Sequence, residues 1–174
     1  MTLQEIRFDT LSLQYFKIWQ RGLLLTSGDF RLGHFNTMTV GWGSLGRMWG
    51  KPFVQVVVRP QRYTFQFMEK YPTFTLCAFA DEHSDAIQLL GTRSGRDTDK
   101  ISLAALHPVA ASTVQAPAFD EATLVIECRK IYWQDMDPDN FLDPSIQRNY
   151  PAHDFHRIYF GEIVAIRGEP EFNS

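Results

Sequence analysis

The segment Arg59-Pro60-Gln61-Arg62-Tyr63-Thr64 packs two arginines, a tyrosine and a threonine into six residues. Thr64 precedes a helix-compatible run that stops at Pro72, so it reads as an N-cap. The first turn of a helix carries unpaired N–H groups and a partial positive charge. An anion, a phosphate above all, is well received there with an arginine fork beside it. The plainer reading is a strand-to-helix corner with solvated arginines. The segment RSGRDTDK, residues 93–100, repeats the theme. Ser94-Gly95 permits a tight turn with exposed N–H groups, and Arg93, Arg96 and Lys100 add positive charge that Asp97 and Asp99 partly offset. Alone it also reads as a solvated turn. Neither segment has the P-loop spacing, and no G-x-G-x-x-G follows a strand.

A third segment, NTMTVGWGSLGRMWGKP at residues 36–52, mixes small polar groups with large flat ones. Asn36, Thr37, Met38 and Thr39 offer hydrogen-bonding groups suited to the polar edge of a heterocycle. Trp42, Met48 and Trp49 could cover a flat ring; equally, such aromatics could seal one end of a barrel. Among the five histidines, His153 and His156 are three apart; on a strand they point to opposite faces and make poor joint metal ligands, whereas on a helical turn they could meet. Asp154 and His156 are two apart and share a face, where the carboxylate would orient the imidazole and raise its pKa. A satisfied surface pair is the plainer alternative. No G-x-S-x-G nucleophile elbow is present.

Several elements must position these groups. LSLQYFKIWQ, residues 11–20, fits a short helix or an extended segment. Leu23–Thr26 read as a strand, Ser27-Gly28-Asp29 as a turn, and a second strand leads into the third segment. FVQVVV (53–58) and TFTLCAFA (73–80) read as buried strands, TFQFMEKY between them as a helix. SDAIQLLG reads as a helix with Ser84 as cap and Gly91 as stop, and a short helix follows the 93–100 turn. TLVIECRKIYW (123–133) reads as a long strand whose aromatic end is buried. FHRIYFGEIVAIRGEP (155–170) reads as the last strand, with Gly161 at a bulge or close approach. Some six strands with short helices in the connections point to a small closed or partly closed barrel.

The 174 residues fit one domain, 1–174, long enough for a full core. Net charge is −3, which argues against broad nucleic-acid or membrane-surface binding. Cys77 and Cys128 each fall in an apolar run outside any paired-ligand motif, as buried thiols in a reducing compartment do. The N-terminal MTLQEIRFDT has no basic start and apolar run, and no stretch is apolar enough to span a bilayer. These features read as cytoplasmic.

Six landmarks then fall in order: FNTMTVGWGSLGRMWGKP, VVVRPQRYT, FTLCAF, LLGTRSGRDTDK, FDEATLVIECRKIY and DFHRIYFGEI. In these the sequence resembles the flavin reductase-like family of FMN-binding split barrels, which includes the flavoredoxins, from about residue 22 to 167. Residues 1–20 and 135–153 are less diagnostic. The resemblance implies a mainly β fold, a six-stranded Greek-key split barrel with short peripheral helices, working as a homodimer with FMN near the subunit interface. It implies that Asn36, Thr37, Met38, Thr39 and Trp42 lie against the isoalloxazine and ribityl. Arg59, Arg62, Tyr63 and Thr64 would hold the phosphate; Ser94, Gly95 and Lys100 would complete the cradle. His156 falls in the D-x-H segment that lies near flavin and nicotinamide in related reductases, and so takes the catalytic role. The activity implied is hydride transfer from NADH or NADPH to FMN, with electrons passed to free flavin, a partner protein or a small acceptor. An electron carrier that does not oxidise NAD(P)H is the second reading. A split barrel that has lost flavin and binds haem or another flat ligand is a third.

Overall fold

Three consecutive leucines, Leu23, Leu24 and Leu25, are all buried, yet they belong to two different cores. Successive strand residues face opposite ways, so a sheet covered on both sides reads as a continuous apolar run. Leu76-Cys77-Ala78 and Leu124-Val125-Ile126 split between the two cores in the same manner. This two-sided burial organises the molecule.

The computed structural model describes residues 3–174. In chain order the first half holds β1 (Gln4–Glu5), α1 (Tyr15–Arg21), β2 (Leu23–Asp29), β3 (His34–Val40), β4 (Gly43–Met48), β5 (Lys51–Val58) and α2 (Tyr63–Lys70). The second half holds β6 (Thr73–Ala78), α3 (Ser84–Thr92), α4 (Lys100–Leu103), β7 (Pro108–Val109), β8 (Ala118–Phe119), β9 (Leu124–Asp135) and β10 (Arg157–Gly168). The main sheet is antiparallel in the order β3-β2-β6-β9-β10-β5-β4, with β1 added to β10. β3 returns to touch β5 without a ladder between them, so the barrel closes but stays split. The six strands read from the sequence form its wall in Greek-key order. One core fills the barrel and includes Trp19, Met38, Val56, Phe74 and Tyr159. The other lies outside, where Ile87 and Leu90 of α3 cover Leu24, Cys77 and Val125.

β4 is the strand that sequence patterning hides. Its Gly-Ser-Leu-Gly-Arg-Met run lacks β-branched residues, yet it pairs with β5 from Gly43↔Val56 to Met48↔Lys51. The glycine has a packing cause: a Cβ on Gly43 would sit 2.3 Å from Cη2 of the buried Trp19. α1 thus docks its indole directly on the strand backbone, and Leu45 N–H donates to the Tyr15 hydroxyl at 3.0 Å.

Other boundaries shift for local reasons. β2 runs through Ser27 and Gly28 to Asp29, and the turn is Phe30–Gly33. Asp29 Oδ1 accepts from Arg31 N–H at 2.9 Å, so this aspartate starts the turn instead of ending it. α3 begins at Ser84 itself and passes Gly91 to end at Thr92. Gly91 lets the helix lie on β3, since a Cβ there would meet Thr39 Cβ at 3.1 Å. The far end of β9 is exposed, not buried: Tyr132 and Trp133 are 43% and 53% accessible. β10 shifts register against β9 between Phe160 and Gly161, where the bulge was read.

Candidate functional site

β5 ends at Val58, and the chain turns through Arg59–Gln61 into α2 while β3 ends beside it. The loop after α3 closes the third side. Residues 36–42, 59–64 and 93–100 therefore meet, although the chain separates them widely. They surround two joined cavities. The wider, about 450 Å³, is lined among others by Met38, Thr39, Trp42, Arg59 and His156. The narrower, about 150 Å³, is lined among others by Asn36, Tyr63, Thr64, Ser94, Gly95 and Lys100. Met38, Gln61 and Arg62 line both and join them.

Among the described residues, Arg62, Arg93, Arg96 and Lys100 line the narrow cavity and no carboxylate does. Lys100 is only 4% exposed, and its ammonium donates to Leu90 O at 2.9 Å and Arg93 O at 3.1 Å. Arg62 Nη2 donates to Gly91 O at 2.6 Å. Two cations thus fasten the C-terminal carbonyls of α3, where the helix dipole favours positive charge. Burial, then the Arg62 charge, pushes the Lys100 pKa down to about 8. Burial and Arg59 lower that of Arg62. Arg96 lies over the Tyr63 ring at 5.1 Å and donates to Gln61 O at 3.1 Å. So much unbalanced positive charge suits an anionic occupant.

Thr64 is not the N-cap of α2. Arg62 takes that place with extended backbone (φ −68°, ψ 135°), and no side chain caps the helix. The Thr64 hydroxyl is claimed instead by Asn36 Nδ2, which donates to it at 2.7 Å. The first-turn amides of α2 are thereby left to another partner. Gly95 presses against the same asparagine: a Cβ there would fall 2.2 Å from Asn36 Oδ1.

At the wide end, His156 is 8% exposed and packs its ring against Trp42, centroids 5.2 Å apart. Asp154 does not orient it. Asp154 Oδ2 accepts from Arg59 Nη1 at 2.8 Å and from Gln61 Nε2. The imidazole pKa falls to about 4 because burial comes first, Arg59 adds to it, and the Asp154 charge opposes both without prevailing. The expected rise is therefore reversed, and the ring is neutral near pH 7. Its Nδ1 lies 2.8 Å from the Tyr150 hydroxyl.

Of the residues singled out in the sequence, Thr37 lines neither cavity. It is fully buried, with its hydroxyl accepting from Thr26 at 2.9 Å and donating to Leu25 O at 3.2 Å. Arg59 reaches only the wide cavity, and its second nitrogen donates to Asn149 O at 2.7 Å. Met48 and Trp49 are carried away along β4; Trp49 rests on Tyr132 and Phe160 at the hairpin tip. Sequence reasoning did not assign Gln61 to the site, nor Tyr150 behind His156. Gln61 was visible inside its motif, whereas nothing local marks Tyr150.

The fold is shared with solved proteins. An FMN-binding domain of a flavin reductase-like enzyme from Shewanella baltica OS155 superposes with a TM-score of 0.66 at 14% identity, over 96% of this chain and 77% of that one. Flavoredoxin of Desulfovibrio vulgaris (Miyazaki F) gives 0.67 at 20% identity, over 93% and 74%. An NADH:FAD oxidoreductase of Streptomyces globisporus C-1027 gives 0.65 at 17% identity, over 86% and 76%. Comparison with curated proteins finds no match. The profile of the flavin reductase like domain matches residues 21–173, from just before β2 almost to the end of the chain. The chain therefore belongs to the flavin reductase-like domain family.

Proposed function

We propose that the protein binds FMN and acts as an NADH- or NADPH-dependent flavin reductase. The observation that carries this reading is the pair of joined cavities, one wide and flanked by Trp42 and Met38, the other narrow and lined by four cations with no carboxylate. A flat ring with a phosphorylated tail matches that division of chemistry. Bound FMN supplies acceptance of a hydride from a reduced nicotinamide and release of the electrons to free flavin or a protein acceptor.

The residues of the chain divide the remaining work. Lys100, Arg62 and the uncapped end of α2 bind the tail phosphate. The Asn36–Thr64 bond fixes the asparagine amide at the mouth of the tail site. Met38 and Trp42 cover the ring and exclude water. Arg59 and Arg62 keep positive charge at the wide cavity, which favours an electron-rich occupant. Arg59 also pins the segment carrying Asn149, Tyr150 and Asp154. The protein works as a homodimer, with the exposed strip of Met48, Trp49 and Tyr132 as its mating surface. The accessible rings of Trp49 and Tyr132, packed on each other at 5.9 Å, support this.

Anaerobic mixing tests the reading. The FMN-loaded protein is yellow and bleaches within seconds of meeting NADH or NADPH. A protein that dithionite bleaches and neither nicotinamide does is a flavoredoxin-like carrier. A protein that stays colourless after incubation with FMN overturns both readings.

A further inference from the structure

Tyr150 stands in the connection between β9 and β10 and is 4% exposed. Phe141 stacks on its ring at 5.9 Å and 11°, Phe155 packs at 4.9 Å, and the Arg59 guanidinium lies over it at 5.2 Å. These contacts fix where the phenol points. Its oxygen has two neighbours, His156 Nδ1 at 2.8 Å and Met136 Sδ at 3.3 Å.

The phenol has one proton to give. A thioether sulfur is a weak acceptor, while an unprotonated imidazole nitrogen is a strong one. The longer contact to Met136 cannot compete, so the phenol proton goes to Nδ1. Burial and the neighbouring Arg59 charge keep the imidazole neutral at pH 7. A neutral ring has a single N–H, which must then sit on Nε2. Among the described residues nothing hydrogen-bonds Nε2, and it is not one of the atoms sealed away without a partner. His156 lines the wide cavity, which leaves that space as the place where the Nε2 proton finds an acceptor.

We propose that Tyr150 is a positioning residue that holds His156 as the Nε2–H tautomer, so that the imidazole meets the occupant of the wide cavity as a hydrogen-bond donor. The partner it fits is a carbonyl oxygen or unprotonated ring nitrogen of a bound heterocycle or carboxamide. The identity of that occupant rests on the reductase reading; the tautomer does not. Tyr150 also separates two roles that proximity alone would merge. Asp154, closer in sequence, serves Arg59, whereas the tyrosine six residues upstream serves the histidine.

The test is long-range proton–nitrogen correlation on histidine-labelled protein at pH 7, without and with FMN. The wild-type protein shows His156 protonated at Nε2 and bare at Nδ1 in both. Tyr150→Phe keeps the aromatic stack but removes the hydroxyl. It shifts His156 to a mixture of tautomers and slows anaerobic flavin reduction by nicotinamide about tenfold, as loss of one oriented hydrogen bond does. A proton on Nδ1 in the wild-type protein overturns the proposal, and that reading needs no variant. An unchanged tautomer in Tyr150→Phe overturns it as well. A changed tautomer with an unchanged reduction rate overturns the claim that the donor serves the cavity's occupant. If neither nicotinamide bleaches the wild-type protein, the reductase reading fails while the nitrogen shifts still decide the tautomer.

Discussion

Lys100 concentrates the chemistry of the narrow cavity in one ammonium group. Its pKa is pushed from 10.5 to about 8, so above pH 8 the folded protein favours the neutral amine. Between those values the unfolded chain binds more protons, and Lys100 makes stability rise with pH across that window. A phosphate reverses the preference, because it attracts the charged form. FMN binding therefore takes up a proton above pH 8. We expect FMN affinity to fall from pH 8 to 10 while riboflavin affinity stays flat, read by quenching of flavin fluorescence. Lys100→Met should abolish that slope and weaken FMN about 10- to 100-fold, the worth of one charge-assisted hydrogen bond. His156 acts at the acid end. Its folded pKa of about 4 lies below the ordinary 6.5, so its contribution to stability is complete above pH 6.5 and is lost as pH falls toward 4. That contribution amounts to at most about 3 kcal/mol. Urea unfolding between pH 4 and 7 should show a steep acid limb that His156→Gln flattens. Residue types made Arg62, Lys100 and His156 visible in the sequence. Their burial was not visible, because it arises only where distant segments meet. The same holds for Tyr150, whose partner His156 is close in sequence but whose orientation depends on Phe141 and Arg59.

Elements show where patterning succeeds and where packing overrides it. β2, β5, β6, β9 and β10 are legible because apolar runs of strand length have few other uses. β4 is not, because Trp19 forbids any side chain at Gly43. Gly43→Ala should force the indole or the strand to move and cost about 1–3 kcal/mol, measured as a lower urea midpoint. Thr64 has the residue type of an N-cap, but a tertiary bond to Asn36 outbids the local one. Arg59 shows a similar displacement of role. It has the look of a phosphate ligand, yet Asp154 and Asn149 O hold it. Arg59→Ala should accelerate amide exchange in residues 149–156 and slow flavin reduction, with FMN affinity changed less than by Lys100→Met. Equal losses of affinity in the two variants would return Arg59 to the tail site.

At the scale of the whole molecule, the barrel follows from two-sided burial of its strands and the helices from the need to cover the outer core. A small, mainly β barrel, closed or partly closed, was therefore readable before the strand order was known, and the family resemblance implied that it is split. The outward aromatic strip was not, since Tyr132 looks like a core residue until β9 is seen to outrun the layers beside it. Sedimentation should find a dimer, and Trp49→Asp combined with Tyr132→Asp should yield monomers that keep the urea midpoint of a folded barrel. The fastening of α3 by Arg62 and Lys100 has a further bearing. Backbone carbonyls hold both cations at their stations, so the receptacle is assembled by folding and not by its guest. Protein made in flavin-starved cells should consequently charge on simple mixing, in a single fast phase with no slow structural step behind it.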